Sequence, residues 1–88
     1  MSRVRTHPGE ILSEEFMKPR GLSARALAAA IGVPGNRISE IIRSRREVSA
    51  DTAIRLSLYF GTSARFWLNL QIAHNLPVAE NTQIQIPA

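Results

Sequence analysis

The feature that most restricts the fold of this 88-residue chain is a series of short apolar segments at helical spacing. Each segment is bounded by a residue that starts or stops a helix. Ser23 and Ser49 precede two such segments and are good N-caps. Gly32 and Gly61 follow the same segments, where a glycine in the left-handed conformation commonly ends a helix. The alternation that indicates a β-strand occurs only near the C-terminus, at residues 83–86. The pattern predicts a small all-α domain with short connections.

Five helices are predicted from these signals. The first begins at Pro8 and ends near Lys18, because the residue before a proline resists the α conformation. Pro34 opens the third helix, and the fifth helix ends before Pro77. The fourth helix is expected to lie at the centre of the core with a wide apolar face. That face comprises Ala53, Ile54, Leu56, Leu58 and Phe60.

The chain is long enough for one domain only, since domains typically contain about 50 to 250 residues. We assign residues 1–76 to that domain and residues 77–88 to a C-terminal tail. A core of this size is thin, so a partner subunit would add stability. In the fifth helix, Leu68 and Ile72 lie on a different side from Phe66. If the side of Phe66 packs in the core, Leu68 and Ile72 form the interface of a homodimer.

Composition excludes several classes of protein. The sequence contains no cysteine, so it has no disulfides or thiolate metal ligands, and His7 and His74 are too few for a zinc site. We therefore expect neither a metal nor another cofactor. The longest apolar run, residues 26–31, is far shorter than the roughly 18 residues of a membrane span. The first residues lack the apolar region of a secretory signal, so we expect a cytoplasmic protein without membrane contact.

An enzymatic function is not expected. Glu14 and Glu15 are adjacent on a helix, so their carboxylates diverge and cannot act as a pair. The sequence lacks the Ser/His/Asp and Cys/His arrangements of nucleophilic catalysis, and it lacks a glycine-rich phosphate loop. These observations favour a binding function.

Positive charge is concentrated in the middle of the chain. The sequence has 11 basic residues, ten of them arginine, against 7 acidic ones, which gives a net charge of +4. Seven of the basic residues lie between Lys18 and Arg46, where Glu40 is the only acidic residue. The net charge alone is a modest argument for a polyanionic partner, but its concentration in one segment is a stronger one.

The second and third predicted helices have the spacing of a helix-turn-helix. Ala28 allows two helices to approach closely, Gly32 supplies the turn, and Ile38 anchors the following helix. A plain α-helical hairpin would have the same spacing. The basic segment favours the DNA-binding interpretation.

The third predicted helix has an apolar face of three isoleucines and an opposite face of side chains that can hydrogen-bond to base edges. Glu40 has a second interpretation, since it can instead form an ion pair with Arg37 or Arg43. The residues assigned to base contacts are Asn36, Arg37, Ser39, Glu40 and Arg43. The residues assigned to phosphate contacts are Ser23 and Arg25, at the start of the second helix, and Arg45 and Arg46, in the loop after the third.

Residues 22–61 resemble the helix-turn-helix domain that lambda-type phage repressors share with the large XRE family of regulators. The flanking segments resemble a narrower group. The sequences HPGE at residues 7–10, SADTA at residues 49–53 and FWLNLQ at residues 66–71 are similar to those of the HigA antitoxins, also called VapI, of bacterial toxin-antitoxin modules. The resemblance covers roughly residues 6–76 and implies a five-helix, lambda repressor-like fold.

The resemblance also implies a function. HigA antitoxins are homodimeric repressors that bind a palindromic operator of their own operon and neutralise a HigB toxin, which is a RelE-like mRNA endonuclease. Such a protein is expected in the bacterial cytoplasm, associated with the nucleoid. Two positions depart from the family pattern. Ala24 replaces a glutamine that contacts phosphate, so we assign no such contact to it, and Ser44 stands where an Asn-Gly turn usually follows the recognition helix.

Two alternatives stay open at this point. The chain is equally compatible with a stand-alone XRE-family transcriptional regulator that has no toxin partner. A more distant alternative is an interaction module whose basic face binds a protein or RNA.

Overall fold

All regular structure in the described part of the chain is helical, which confirms the predicted five-helix, all-α domain. A computed structural model describes residues 6–82 and 86–87. The first helix continues without a break into a wider π-helical turn and then a 3₁₀ turn. The helices are α1 (Pro8–Ile11), with its π-helical continuation (Leu12–Met17) and 3₁₀ turn (Lys18–Arg20), α2 (Ala24–Ile31), α3 (Arg37–Ile42), α4 (Ala50–Phe60) and α5 (Ala64–Glu80).

Serine caps and left-handed glycines set most of the helix boundaries. The hydroxyl oxygens of Ser23, Ser49 and Ser63 each accept a hydrogen bond from the backbone N–H three residues later, at 3.0 to 3.2 Å. Gly32 and Gly61 follow α2 and α4 with φ values of 75° and 77°, a conformation that costs glycine little. The sequence prediction for the boundaries of α2 and for both ends of α4 is therefore confirmed.

The first helix extends further than predicted, through Pro19 to Arg20. Pro19 is the second residue of the 3₁₀ segment, a position near the start of a helical segment where proline is tolerated. The preceding π-helical turn ends with the Lys18 N–H donating to the Ser13 carbonyl, which carries the chain past the proline. Gly21, with φ 59°, then ends the segment.

Trp67 is the largest fully buried side chain of the core. Its indole N–H donates to the Thr62 hydroxyl at 2.8 Å, so its one polar group is satisfied. The rings of Phe16 and Phe66 each lie 5.0 Å from the Trp67 ring, centroid to centroid. The other buried apolar side chains are Leu12, Met17, Leu27, Ala28, Ile31, Ile38, Ile41, Val48, Ala53 and Leu56.

The apolar face of α4 is narrower than predicted. Ala53 and Leu56 are buried, but Ile54 is 52% exposed and Leu58 is 81% exposed, so assigning these two residues to the core was wrong. The helix packs against α5 and α2, and no other described helix packs extensively on its third side. Phe60 is partly buried and packs against the core.

Helix α5 does not end before Pro77, as predicted, but runs through it to Glu80. The proline lies in the last turn of the helix, and the Asn81 N–H donates to its carbonyl at 3.0 Å, so helical bonding continues beyond the ring. The division between residues 76 and 77 thus falls inside α5. The predicted strand pattern lies mostly outside the described residues, and Ile86 has no regular structure. No described helix combines the length and the hydropathy needed to cross a membrane.

Candidate nucleic-acid interface

Helices α2 and α3 form the predicted helix-turn-helix. Gly32 turns the chain with its left-handed conformation, and the Val33 N–H donates to the Ala28 carbonyl at 3.0 Å, which closes the end of α2. Ala28 and Ile38, the other two positions of the spacing argument, are both fully buried. The structure therefore confirms the roles predicted for all three positions.

Helix α3 begins later than predicted. Pro34 does not open it, because the Arg37 N–H donates to the Pro34 carbonyl at 2.9 Å and closes a turn first. Gly35 and Asn36 are the central residues of that turn, and both residue types favour turns over helix interiors. Only from Arg37 onwards is the chain α-helical.

The rear of α3 is held by apolar packing. Ile38 and Ile41 are fully buried, and Ile42 is partly buried against the core. These three side chains orient the helix, so the polar face predicted from the sequence points away from the core.

Backbone contact with α1 holds α3 as well. A Cβ atom built on Gly9 would lie 1.9 Å from the Ile41 carbonyl oxygen and 2.9 Å from the Ile42 Cα. Side-chain carbon atoms do not approach backbone atoms this closely, so only glycine fits at position 9. The HPGE segment therefore allows α1 to pack directly on the last turn of α3, a role that the sequence analysis did not assign to it.

The outer face of α3 carries two arginines that form no ion pair with any residue in the ranges 6–82 and 86–87. Arg43 is exposed and Arg37 is partly exposed. Ser39 is partly buried, and its hydroxyl donates to the Asn36 carbonyl at 2.9 Å. The guanidinium groups of Arg37 and Arg43 are thus available for an external acceptor such as a base edge.

Glu40 pairs with a residue outside its own helix. Its Oε1 accepts from the Arg46 Nε at 2.8 Å, and its Oε2 accepts from the Asn36 Nδ2 at 3.3 Å. The ion pair that we considered for Glu40 exists, but its partner is Arg46 in the loop rather than Arg37 or Arg43. The structure thus brings together Asn36, Glu40 and Arg46, three of the predicted site residues.

The loop after α3 begins at Ser44, which is the only non-glycine residue with positive φ, 59°, in the part of the chain that is described. The resemblance described above implies an Asn-Gly turn at this position, and asparagine and glycine tolerate such a φ better than serine does. The Arg45 N–H then donates to the Glu40 carbonyl at 2.8 Å. Arg45 and Arg46 are both exposed beside α3.

Gln71 supports the far end of this loop and was missed by the sequence analysis. Its side chain is buried, its Oε1 accepts from the Val48 N–H at 2.8 Å, and its Nε2 donates to the Asn75 Oδ1 at 3.0 Å. Asn75 in turn donates to the Glu47 carboxylate at 3.2 Å. The available signal was a glutamine four residues after Trp67, which places a polar side chain on the buried face of the helix.

The start of α2 carries the other predicted phosphate contacts. Ser23 and Arg25 are exposed, and Arg25 forms no ion pair with any described residue. The Ser23 oxygen accepts from the Ala26 N–H as the N-cap, which leaves its O–H free to donate. No described hydrogen bond joins these two residues to α3.

His7 is the N-cap of α1. Its Nδ1 accepts from the Gly9 N–H at 2.9 Å, and its ring lies edge-on to His74 with 4.9 Å between centroids. Burial, and next the neighbouring His74, lower the pKa of His7 below its ordinary value, while Glu47 acts weakly in the opposite direction. Among the side chains in residues 6–82 and 86–87, no group of three potential ligands is placed to bind a metal ion.

The two residues predicted for a dimer interface differ in exposure. Ile72 is 60% exposed, whereas Leu68 is partly buried and packs against the core of its own chain. Helix α5 exposes two more large apolar side chains further along, Leu76 and Val78.

Comparison with known proteins identifies the family. A helix-turn-helix family profile matches residues 14–67, more than half of the chain. Virulence-associated protein I of Dichelobacter nodosus is 55% identical over 80 residues, which are 91% of this chain and 74% of that protein. The solved antitoxin HigA of Pseudomonas aeruginosa, with the higBA promoter, is 42% identical with a TM-score of 0.84, over 93% of this chain and 95% of that one. The chain belongs to the HigA antitoxins of the helix-turn-helix family.

A second solved structure agrees with this assignment to the HigA family. Antitoxin GraA in complex with its operator is 44% identical with a TM-score of 0.84, over 100% of this chain and 96% of that one. The resemblance to HigA predicted from residues 7–10, 49–53 and 66–71 is therefore confirmed. Helix-turn-helix proteins of the HigA family bind DNA and are not enzymes, which agrees with the predicted binding function.

Proposed function

We propose that this protein is a dimeric antitoxin that binds a palindromic operator, represses its own operon and neutralises a HigB-like toxin. The observation that carries the DNA-binding part is the outward face of α3. It carries Arg37 and Arg43, which form no ion pair with any described residue, on a helix held by buried isoleucines and by α1. Such a helix can enter the major groove without rearranging. The solved relatives bound to promoter or operator DNA support the same function.

In this proposal, α3 reads bases and its surroundings hold phosphates. Arg37 and Arg43 donate to guanine, and Asn36 pairs with adenine. Ser39 and Glu40 lie on the same face. The phosphate contacts come from both ends of the motif, namely Ser23, Arg25, Arg45 and Arg46. Phosphate contacts fix the position of the protein on the duplex, and base contacts supply sequence preference.

Dimerisation through α5 would place two copies of α3 on successive turns of the major groove. The half-sites of the operator are then about 34 Å apart. The exposed Ile72 supports this interface, and Leu68 would contribute from its partly buried position beside it. We place the protein in the bacterial cytoplasm, associated with the nucleoid through its operator.

The base-reading role is tested by comparing Arg37→Ala and Arg43→Ala with Arg65→Ala. Arg65 is exposed at the start of α5, outside the helix-turn-helix, so its replacement removes the same charge. The probes are a duplex that the wild-type protein selects from a randomised library and a duplex of unrelated sequence. Loss of one bidentate base contact costs about 1–3 kcal/mol, or roughly 5- to 150-fold in affinity for the selected duplex. Equal losses on both duplexes, or equal losses with Arg65→Ala, would remove these arginines from base reading.

The loop contact is tested by replacing both Arg45 and Arg46 with glutamate. Because phosphate contacts are independent of sequence, binding to both duplexes should weaken together. The logarithm of the binding constant should also depend less steeply on the logarithm of the salt concentration, by about 0.9 for each phosphate contact that is lost. An unchanged salt dependence would contradict the loop contact.

Toxin neutralisation is tested on the neighbouring reading frame. Co-expression of this protein with an adjacent short, basic, RelE-like product should give a stable complex and restore the growth that the toxin alone arrests. Operator binding without any such partner would support the alternative, a stand-alone XRE-family regulator.

A further inference from the structure

Glu40 lies where the base-reading face of α3 meets the loop that holds phosphates, and it makes a contact on each side. On the helix side its Oε2 accepts from the Asn36 Nδ2 at 3.3 Å. On the loop side its Oε1 accepts from the Arg46 Nε at 2.8 Å, and its backbone carbonyl accepts from the Arg45 N–H at 2.8 Å. One residue therefore links both sets of predicted DNA contacts.

These hydrogen bonds leave the groups of Asn36 and Arg46 that would contact DNA available. Arg46 uses only its Nε, so its two terminal NH₂ groups remain available for a phosphate. Asn36 uses one N–H of its amide, so the second N–H and the Oδ1 remain available for an adenine. Because Oε2 accepts from Nδ2, the flipped amide would set two oxygens against each other. The hydrogen bond to Glu40 therefore favours one orientation of the exposed Asn36 amide.

The carboxylate itself is poorly placed to read a base. Each of its oxygens already accepts a hydrogen bond within the protein, and its side chain is only 34% exposed. Its negative charge also repels the phosphates of any duplex, whatever the sequence. Both properties suit a residue that orients other side chains better than one that contacts cytosine directly.

We infer that Glu40 is a positioning residue: it holds Asn36 and Arg46 ready for the operator and lowers affinity for unrelated DNA. This inference rests on the proposed function and adds a source of discrimination that requires no base contact by Glu40. Binding of the operator then orders fewer side chains, since two of them are already held in place. Unrelated DNA gains nothing from the oriented amide but is still repelled by the carboxylate.

The experiment compares Glu40→Ala and Glu40→Gln with the wild-type chain on the selected duplex and the unrelated duplex described above. For Glu40→Ala, affinity for unrelated DNA should rise about 2- to 3-fold, because a repulsive charge is removed. The ratio of the two affinities should fall about 5- to 10-fold, because the Asn36 amide, which only the selected duplex uses, must then be ordered on binding. Glu40→Gln keeps one acceptor oxygen, which can accept from the Asn36 Nδ2, but carries no charge. It should therefore recover part of the affinity ratio and keep the higher affinity for unrelated DNA.

A double-mutant comparison separates positioning from base reading. If Glu40 acts through its two partners, Glu40→Ala should change the ratio little in a chain that already carries Asn36→Ala and Arg46→Ala. Thermal unfolding of Glu40→Ala should stay close to that of the wild type, since the Glu40–Arg46 pair is partly exposed. The absence of a folding defect would assign the change in ratio to the interface.

Two results would overturn the inference. One is that Glu40→Ala lowers the affinity ratio as much in the chain carrying Asn36→Ala and Arg46→Ala as in the wild type, and also removes the preference for one base pair. Glu40 would then be a base reader. The other is an unchanged ratio in Glu40→Ala. If the wild-type chain selects no sequence from the library, the proposed function itself fails and the inference falls with it, so the two failures are distinguishable.

Discussion

Replacement of Gly9 by alanine tests the contact between α1 and α3. The added Cβ would lie 1.9 Å from the Ile41 carbonyl oxygen, whereas ordinary contacts begin near 3.4 Å, so the two backbones must separate by about 1.5 Å. Overpacking of this kind costs about 1–3 kcal/mol and more when backbone atoms must move. Gly9 is helical, so alanine would otherwise raise stability by about 1 kcal/mol through helix propensity. The two effects have opposite signs, and the structure predicts that the steric effect is larger.

We therefore expect Gly9→Ala to lose about 2 kcal/mol, which lowers the melting temperature of a domain of this size by roughly 8–16 °C. Circular dichroism during heating measures the change. Gly35→Ala is the matched control, since a Cβ at Gly35 meets no atom within 4 Å and its φ is not positive. Operator affinity should also fall for Gly9→Ala at a temperature where it is folded, because α3 is displaced. A melting temperature equal to or above that of the wild type would refute the close contact as the reason for glycine.

Three further predictions concern groups around the site. Gln71→Leu leaves the buried Val48 N–H without an acceptor, so the free energy of unfolding should fall by about 1–3 kcal/mol; an unchanged urea midpoint would contradict this role. Because the folded chain lowers the pKa of His7, the unfolded chain binds the proton more readily, and stability should fall as the pH drops below 6.5. Asparagine at position 7 keeps an acceptor for the Gly9 N–H, so His7→Asn should flatten the change in urea midpoint between pH 7 and pH 5, and an equal slope would exclude His7 as its cause. Arg55→Met removes the guanidinium that donates to the carbonyls of Ile31 and Gly32, at the C-terminal end of α2, at 2.7 and 3.3 Å. The free energy of unfolding should fall by about 1 kcal/mol, as measured by urea titration.

The helix boundaries that sequence analysis predicted best depend on local chemistry. Ser23, Ser49, Gly32 and Gly61 act within one or two turns of their own positions, so their roles follow from residue type and spacing. Pro77 shows the limit of such rules, because a proline near the end of a helix removes only one hydrogen bond and the packing of the helix decides whether it continues.

Some of the predictions that failed depend on neighbours distant in sequence. Ile54 and Leu58 have the spacing of a buried stripe, but which stripe of α4 is covered depends on where α2 and α5 lie. The same holds for Gln71, whose partner is 23 residues away, and for Gly9, whose neighbour is 32 residues away. No periodicity in the sequence encodes these distances.

For the candidate site, the sequence predicted which residues share a surface but not how they are joined. Arg37 and Arg43 follow from the helical period of α3, and the structure leaves both of them unpaired among the described residues. The partner of Glu40 could not be predicted, because it depends on the path of the loop after α3. That path is set by the positive φ of Ser44, which serine seldom adopts.

Helix α3 has only six residues, fewer than two turns. A free peptide of that length is not helical in water, since isolated helices shorter than about 12 residues rarely persist. A synthetic fragment copied from this stretch would therefore be a poor mimic of the intact protein, and grafting it onto another scaffold would require copying the backbone that buttresses it. The smallest unit that can compete for the operator is close to the whole chain.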